Sequence, residues 1–154
     1  MKKISAGLMM YRKKGDDIQV FLVHPGGPFF KNKDAGVWSV PKGEPDDDNE
    51  NLLDAACREF NEETSIEPNP PYIELGHIFQ KNNKKVFAWG FEGDWPDDKS
   101  IESNCFMLEW PPKSGNKIEI PEVDKGEWFD IRTAKEKVIA EQLPLIERLV
   151  DKLK

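Results

Sequence analysis

Glu59, Glu62 and Glu63 fall at i, i+3 and i+4 within Arg58-Glu59-Phe60-Asn61-Glu62-Glu63. At about 3.6 residues per turn, that spacing sets three carboxylates on one side of a helix, within an arc of roughly 100°. Leu53, Ala56, Cys57 and Phe60 occupy i, i+3, i+4 and i+7 of the same stretch and form the apolar stripe that such a helix turns to a core. Like charges this close repel and cost a helix about 0.2–0.5 kcal/mol per pair. Two readings follow. The face is either a solvated acidic surface or a set of hard oxygen ligands suited to magnesium or manganese.

The whole string decides between them. Gly43 and Glu50 precede the helix, seven residues separate Glu50 from Arg58, and Ile66 closes the stretch. This pattern resembles the box of the Nudix hydrolase family, which reads Gly, five residues, Glu, seven residues, then Arg-Glu-apolar-any-Glu-Glu-any-Gly-apolar. The chain departs from the box twice. Six residues separate Gly43 from Glu50, and Ser65 stands where the family has Gly. Trp38-Ser39-Val40-Pro41-Lys42 looks like the strand that leads into the box, so the matching region runs over residues 38–66. A multi-point motif in a loop-helix context is far more specific than a short one.

The resemblance implies a fold, an activity and roles. The fold is α/β, a Nudix-type α/β/α sandwich with a central mixed sheet and the box helix packed against it. The activity is metal-dependent hydrolysis of a phosphoanhydride in a nucleoside diphosphate derivative. Glu59, Glu62 and Glu63 take the family's metal and catalytic positions, with Mg2+ or Mn2+ as the ion. Arg58 orients a box carboxylate such as Glu59, and Glu50 serves the box structurally. The main-chain carbonyl of Lys42 would add a metal ligand, and the Lys42 side chain either contacts phosphate or is simply solvated. Pro41-Lys42-Gly43-Glu44 looks like the box lead-in of dinucleoside polyphosphate hydrolases, which favours a dinucleoside polyphosphate or a nucleoside triphosphate as substrate.

Length and composition agree with one domain spanning 1–154. A chain of 154 residues, 38% hydrophobic and 33% charged, can bury one core and is globular in composition. A net charge of -7 repels free polyanions, which argues against a basic groove for long nucleic acid. A bound cation reverses that field locally, so a phosphorylated small molecule remains compatible. Cys57 and Cys105 make no disulfide framework. No apolar run reaches membrane-spanning length, and Met1-Lys2-Lys3 leads into a short strand rather than a signal peptide. The default expectation is a cytoplasmic protein.

Stepping along the chain, Ile4–Tyr11 and Ile18–Val23 read as a hairpin around Lys13-Lys14-Gly15-Asp16-Asp17. His24-Pro25-Gly26-Gly27-Pro28 breaks the second strand, and Phe29 and Phe30 follow in the loop, either to stack on a base or to plug the sheet edge. Val37–Val40 reads as a short strand. Asp47 and Glu50 have capping-box spacing and predict a helix start near Asp48, and Thr133 and Glu136 repeat the spacing later. Pro68–Pro71 is a linker. Tyr72–Phe79 and Lys85–Phe91 form a second hairpin, and Gly93–Ser103 is an acidic loop. Strands at Cys105–Trp110, Ile118–Pro121 and Glu127–Asp130 precede C-terminal helices carrying Val138, Leu145, Ile146, Leu149, Val150 and Leu153.

A carboxylate from outside the box is expected at the site. Glu122 follows Pro121, which ends regular pairing, and precedes the Trp128 strand; Pro121-Glu122-Val123-Asp124 resembles a loop that family members place over the metal. It could bind an ion or accept the proton of the attacking water. Glu109 is the runner-up, and an ordinary surface position for Glu122 is the plain alternative. Two other classes stay open: a catalytically inactive Nudix-like nucleotide-sensing domain, and a protein-interaction domain. Metal-dependent turnover separates both from an enzyme. A non-glycine residue in a left-handed helix terminus costs about 1 kcal/mol. Ser65→Gly is therefore expected to be neutral or stabilising, read by thermal melting; a clear fall in Tm with lost activity would give Ser65 a positive role.

Overall fold

The computed structural model describes residues 3–96 and 100–154. The centre of the expected acidic loop, Asp97–Lys99, and the first two residues lie outside the described residues. Among the described residues, eight strands and three α-helices follow in the order β1 (Ile4–Lys14), β2 (Asp17–Pro25), β3 (Lys42–Gly43), α1 (Leu52–Thr64), β4 (Ile73–Gln80), β5 (Lys84–Glu92), β6 (Cys105–Glu109), β7 (Lys117–Pro121), β8 (Val123–Asp130), α2 (Ile131–Lys137) and α3 (Leu143–Lys152).

The main sheet is mixed. Its order is β4-β5-β1-β2-β8, with β1 and β5 parallel, the other neighbours antiparallel, and β3 added to β1. Alternation along β1 sends Ala6, Leu8 and Met10 to one face and Met9 and Tyr11 to the other. The first face packs against Ala55, Ala56 and Phe60 of α1; the second packs against Leu145, Ile146 and Leu149 of α3 and Ala134 of α2. Two helical layers thus cover one sheet, the expected α/β/α arrangement. With both faces covered, β1 is buried from Ser5 to Arg12. Cys57 packs at the margin of the α1 layer.

Strands β1 and β2 stay paired only near their turn, from Tyr11↔Val20 to Lys14↔Asp17. Beyond Tyr11 they part, and the segment 39–43 fills the gap. Ser39 exchanges backbone bonds with Val23 at 2.9 and 3.0 Å, Leu8 donates to the Pro41 carbonyl at 3.2 Å, and Lys42 and Gly43 pair with Gly7 and Ala6. The expected strand at Val37–Val40 is therefore not a regular strand. Trp38 and Ser39 make single bridges, to Val138 and Val23, because the segment crosses from one neighbour to another instead of following either. Gln142, fully buried, supplies the partners that a regular ladder would have given. Its Oε1 accepts from the Val40 amide at 3.0 Å, and its Nε2 donates to Ser39 Oγ and Gln80 Oε1, both at 2.9 Å.

Both expected capping boxes are displaced. Helix α1 starts at Leu52, where Asn51 Oδ1 accepts from the Leu53 and Asp54 amides at 2.9 and 3.3 Å. Glu50 cannot serve as the distal half of a box, because its carboxylate accepts the Asp46 amide at 2.7 Å and binds Arg58. Helix α2 starts at Ile131 and is capped by Asp130, which accepts from the Thr133 amide at 2.7 Å; Thr133 is inside the helix. Ser65 ends α1 in the left-handed region, with φ 63°, as expected for a position the family gives to Gly. Its hydroxyl also donates to the Glu102 carbonyl at 2.8 Å. Glycine there would exchange relief of about 1 kcal/mol for a hydrogen bond of about the same worth.

An unpaired buried amide costs about 1–3 kcal/mol. Gln142→Leu is expected to lower the unfolding free energy by about that amount, seen as a lower urea midpoint with unchanged m. An unshifted midpoint would mean that the segment before the box does not depend on Gln142.

Candidate metal and phosphate site

Helix α1 sets the Glu59 carboxylate against Gly43 of β3 and places Glu63 on a cavity wall with Lys42. Glu59, Glu63 and Glu122 each offer a carboxylate oxygen within 4.8 Å of the others. A magnesium ion holds its oxygens at about 2.0–2.1 Å, so a small closure of these side chains would surround one. Glu63 is buried, Glu59 half-buried and Glu122 the most exposed. Glu63 Oε2 is buried with no hydrogen-bond partner, an arrangement that an ion would relieve. This orphaned carboxylate oxygen, within an all-carboxylate donor set, fits a hard divalent cation.

Glu62 sits differently from the other box glutamates. Its carboxylate accepts from Arg58 Nη1 at 3.2 and 3.3 Å and is not among the three that converge. Arg58 also donates to Glu59 at 3.0 Å, to both Glu50 oxygens at 3.0 and 3.1 Å and to the Glu44 carbonyl at 3.1 Å. One guanidinium therefore ties the loop from Glu44 to Glu50 to the helix and holds the Glu59 carboxylate. These partners push the Arg58 pKa further up, with Glu50 the largest contributor. At Gly43 a β-carbon would overlap the Glu59 carboxylate, so only glycine lets this carboxylate reach the site past β3.

Glu122 arrives from the other side, at the end of β7. Its amide donates to the Asn104 carbonyl at 2.9 Å, and the Asn104 amide donates to the Glu62 carbonyl at 2.9 Å. The Gly26 amide donates to the Glu122 carbonyl at 3.0 Å, and a β-carbon at Gly26 would overlap the Pro121 carbonyl. His24 braces the same loop. This buried ring lies between Asp124 Oδ1 at 2.9 Å and the Lys33 carbonyl at 2.7 Å. Glu109, the runner-up, instead accepts the Lys113 amide at 2.8 Å in the hairpin turn.

Lys42 and Phe30 line a cavity of about 290 Å³ together with Glu63 and Glu122. Phe29 points elsewhere, its ring edge-on to Trp110 at 5.1 Å. The cavity thus joins Glu63, Glu122, Lys42 and Phe30, whereas Glu59, Glu62 and Phe29 are not among its lining residues. Sequence reading missed His24, Asp124, Gly26 and Trp110. The only signal was the Gly-Gly break after β2, which allows close backbone approach without naming the partner.

The electrostatics are unfavourable in the bare protein. Burial, then the charges of Glu59 and Glu122, pushes the Glu63 carboxyl well above the usual carboxylate range, against the pull of Lys42. Burial raises Glu59, opposed by Arg58. Partial desolvation and then the Glu62 charge raise Glu122. Burial, then the charge of Lys84, lowers Lys42, while Glu63, Glu59 and Glu44 pull it back up.

Comparison with known proteins gives three findings. A family model described as the NUDIX domain matches residues 1–149. No curated protein matches the chain. Several solved structures share the fold. A binary complex of an Ap4A hydrolase from C. elegans is 24% identical, with TM-score 0.68 over 97% of each chain. A MutT protein from Methanosarcina mazei is 22% identical, with TM-score 0.62 over 99% of this chain and 96% of that one. The NUDIX domain of NrtR from Shewanella oneidensis, complexed with ADP ribose, is 16% identical, with TM-score 0.67 over 100% of this chain and 90% of that one.

The raised carboxyl of Glu63 links stability to pH. The folded state binds its proton more tightly than the unfolded chain does. The stability it contributes is full below the unfolded pKa and is lost as pH rises through the folded one. Glu59 and Glu122 act with the same sign, whereas the lowered carboxyls of Asp34, Glu50 and Asp130 act at more acid pH. In chelator, Tm is expected to fall as pH climbs from the carboxylate range to neutrality. Glu63→Gln should raise the neutral-pH Tm in chelator and diminish the further rise given by Mg2+ or Mn2+. A wild-type Tm insensitive to both pH and metal would rule out a strained carboxylate cluster.

Proposed function

The chain belongs to the Nudix family, and from that premise we propose that it is a pyrophosphohydrolase that uses Mg2+ or Mn2+ to cleave a phosphoanhydride in a dinucleoside polyphosphate or a nucleoside triphosphate. The observation that carries this reading is the convergence of Glu59, Glu63 and Glu122, the last two of which line one cavity with Lys42. Bound there, the cation would act as a Lewis acid that offsets negative charge on the phosphate oxygens.

The chain's own residues do the rest. Glu59, Glu63 and Glu122 would hold the ion, with the Lys42 carbonyl as a further candidate ligand. Arg58 keeps Glu59 in place and holds Glu62 close to the site. Glu62 adds a charge that raises the proton affinity of Glu122. Glu122, the most exposed of the three, would either bind the ion or accept a proton from attacking water. Lys42, which lines the cavity, would offer its ammonium to a phosphate oxygen. The substrate preference draws on the C. elegans Ap4A hydrolase and on the Pro41-Lys42-Gly43-Glu44 lead-in.

A panel of dinucleoside polyphosphates, nucleoside triphosphates and ADP-ribose-like sugars, assayed with Mg2+ or Mn2+, tests the reading. Turnover should vanish in excess chelator. Glu59→Gln and Glu63→Gln should lower kcat by about 100-fold or more, judged against losses of roughly that size when single charge-stabilising groups are removed. Glu62→Gln and Arg58→Gln, acting one step back, should cost about 10–100-fold. Glu122→Gln should lower kcat far more than it raises KM. Full activity in chelator would sink the proposal.

A further inference from the structure

Strands β6 and β7 stand apart as a two-stranded sheet of their own. Their register sets Phe106 against Ile120 and Leu108 against Ile118, so one face of the hairpin is apolar. Isolated two-stranded ribbons are marginal in water, yet this one keeps Phe106 42%, Ile118 40% and Met107 59% exposed. Exposed apolar surface of this kind marks a site of contact.

The loop between β2 and β3 runs along the hairpin. A β-carbon on Gly27 would lie 3.2 Å from Ile120 Cγ2. Phe29, 53% exposed, sets its ring edge-on to Trp110 at the hairpin tip, with centroids 5.1 Å apart and planes at 82°. Its neighbour Phe30 lines the cavity that holds Lys42, Glu63 and Glu122. Aromatic surface thus extends from the carboxylates to the tip.

Charge and distance identify an occupant. The chain carries a net charge of -7, but 110–117 contains Lys113 and Lys117 and no acid, and the carboxylate of the adjoining Glu109 is taken up by the Lys113 amide. The facing loop adds Lys31 and Lys33, and Lys33 Nζ lies 5.6 Å from the Phe30 ring centre. Rings interleaved with lysines suit a base joined to phosphates, since stacking tolerates any base and the cations track the chain of phosphates. The four steps from Lys117 to Pro121 span about 14 Å at roughly 3.4 Å per residue. A base at the tip is therefore separated from the carboxylates by a length that further phosphates and a second ribose would bridge.

We propose that Phe29 and Trp110 seat the distal nucleobase of a dinucleoside polyphosphate, the one on the far side of the phosphate chain from the phosphorus attacked. The assignment rests on the hydrolase reading above and deepens it, because a nucleoside triphosphate has no second base to place there.

The test compares diadenosine tetraphosphate with ATP in steady-state kinetics with Mg2+, using Trp110→Leu and Phe29→Leu. An unchanged Tm in each variant guards against misfolding, and Phe29 is exposed enough to tolerate the change. The kcat/KM ratio of diadenosine tetraphosphate to ATP should fall about 5- to 100-fold, the factor expected for losing one stacked base. The loss should appear in KM. Titration of diadenosine tetraphosphate into Glu59→Gln with and without Trp110→Leu should show the same ratio in Kd. Equal losses on both nucleotides, or none, overturn the assignment. Turnover of ATP with no binding of diadenosine tetraphosphate overturns it as well but leaves the hydrolase reading standing. Turnover of no diphosphate at all overturns both. A dimer by light scattering that Phe106→Ser dissociates, in the absence of nucleotide, would give the hairpin to self-association instead.

Discussion

The segment 39–43 has to satisfy two strands at once. It bonds to Val23 on one side and to Gly7 and Leu8 on the other, and it can do so only because β1 is not paired with β2 before Tyr11. A segment crossing between neighbours leaves backbone groups that no ladder reaches, and a buried amide without a partner is expensive. Gln142 closes that deficit at Val40, and the carbonyls and amides of Lys137, Trp38 and Ile139 close it at the preceding turn. The C-terminal layer is thus tied to the position of Lys42 and Gly43, which are far from it in sequence. The gap in the sheet is also where the carboxylates of α1 emerge.

That placement sets stability against function. Glu59 and Glu63 are drawn toward the sheet by the α1 stripe that buries Ala56 and Phe60, so their charges are desolvated as a consequence of packing. Arg58 relieves Glu59, Glu62 and Glu50 but has no bond to Glu63, whose outer oxygen stays unpaired. Apolar or amide side chains would suit the bare fold better. Retaining charge there makes physical sense for a cation whose binding converts mutual repulsion into shared attraction.

The sequence carried the box helix and its acidic face because both depend on local periodicity, with Leu53, Ala56 and Phe60 setting one side and Glu59, Glu62 and Glu63 the other. It carried the β1–β2 and β4–β5 hairpins for the same reason, as alternation and turn residues are local. The start of α1 was misplaced because Asp47 and Glu50 satisfy a spacing rule, while the actual competition for the Glu50 carboxylate comes from Arg58, eight residues away. The divergence among the three box glutamates was equally hidden. Helical spacing puts Glu62 with Glu59 and Glu63, and only the reach of Arg58 distinguishes it. Glu122 was visible as a loop carboxylate beside Pro121, but what holds it, the Asn104, Gly26 and His24 contacts, is long-range and leaves no pattern in the chain.

His24 shows how such a site is assembled. Its ring is buried against the edge of Trp38, 5.1 Å away, at the end of β2 where the strand gives way to the aromatic loop. One nitrogen faces the Lys33 carbonyl in that loop and the other faces Asp124, two residues beyond Glu122. The indole of Trp38 donates in turn to Asp34 at 2.8 Å, and Asp34 pairs with Lys137 at the end of α2. A single ring therefore joins the loop bearing Phe29 and Phe30 to the loop bearing Glu122, and Trp38 joins both to the segment leading into the box. Hydrogen bonds in a dry setting are strong and directional. Movement of any one of these segments must break contacts of the other two, so the cavity wall and the third carboxylate shift together or not at all.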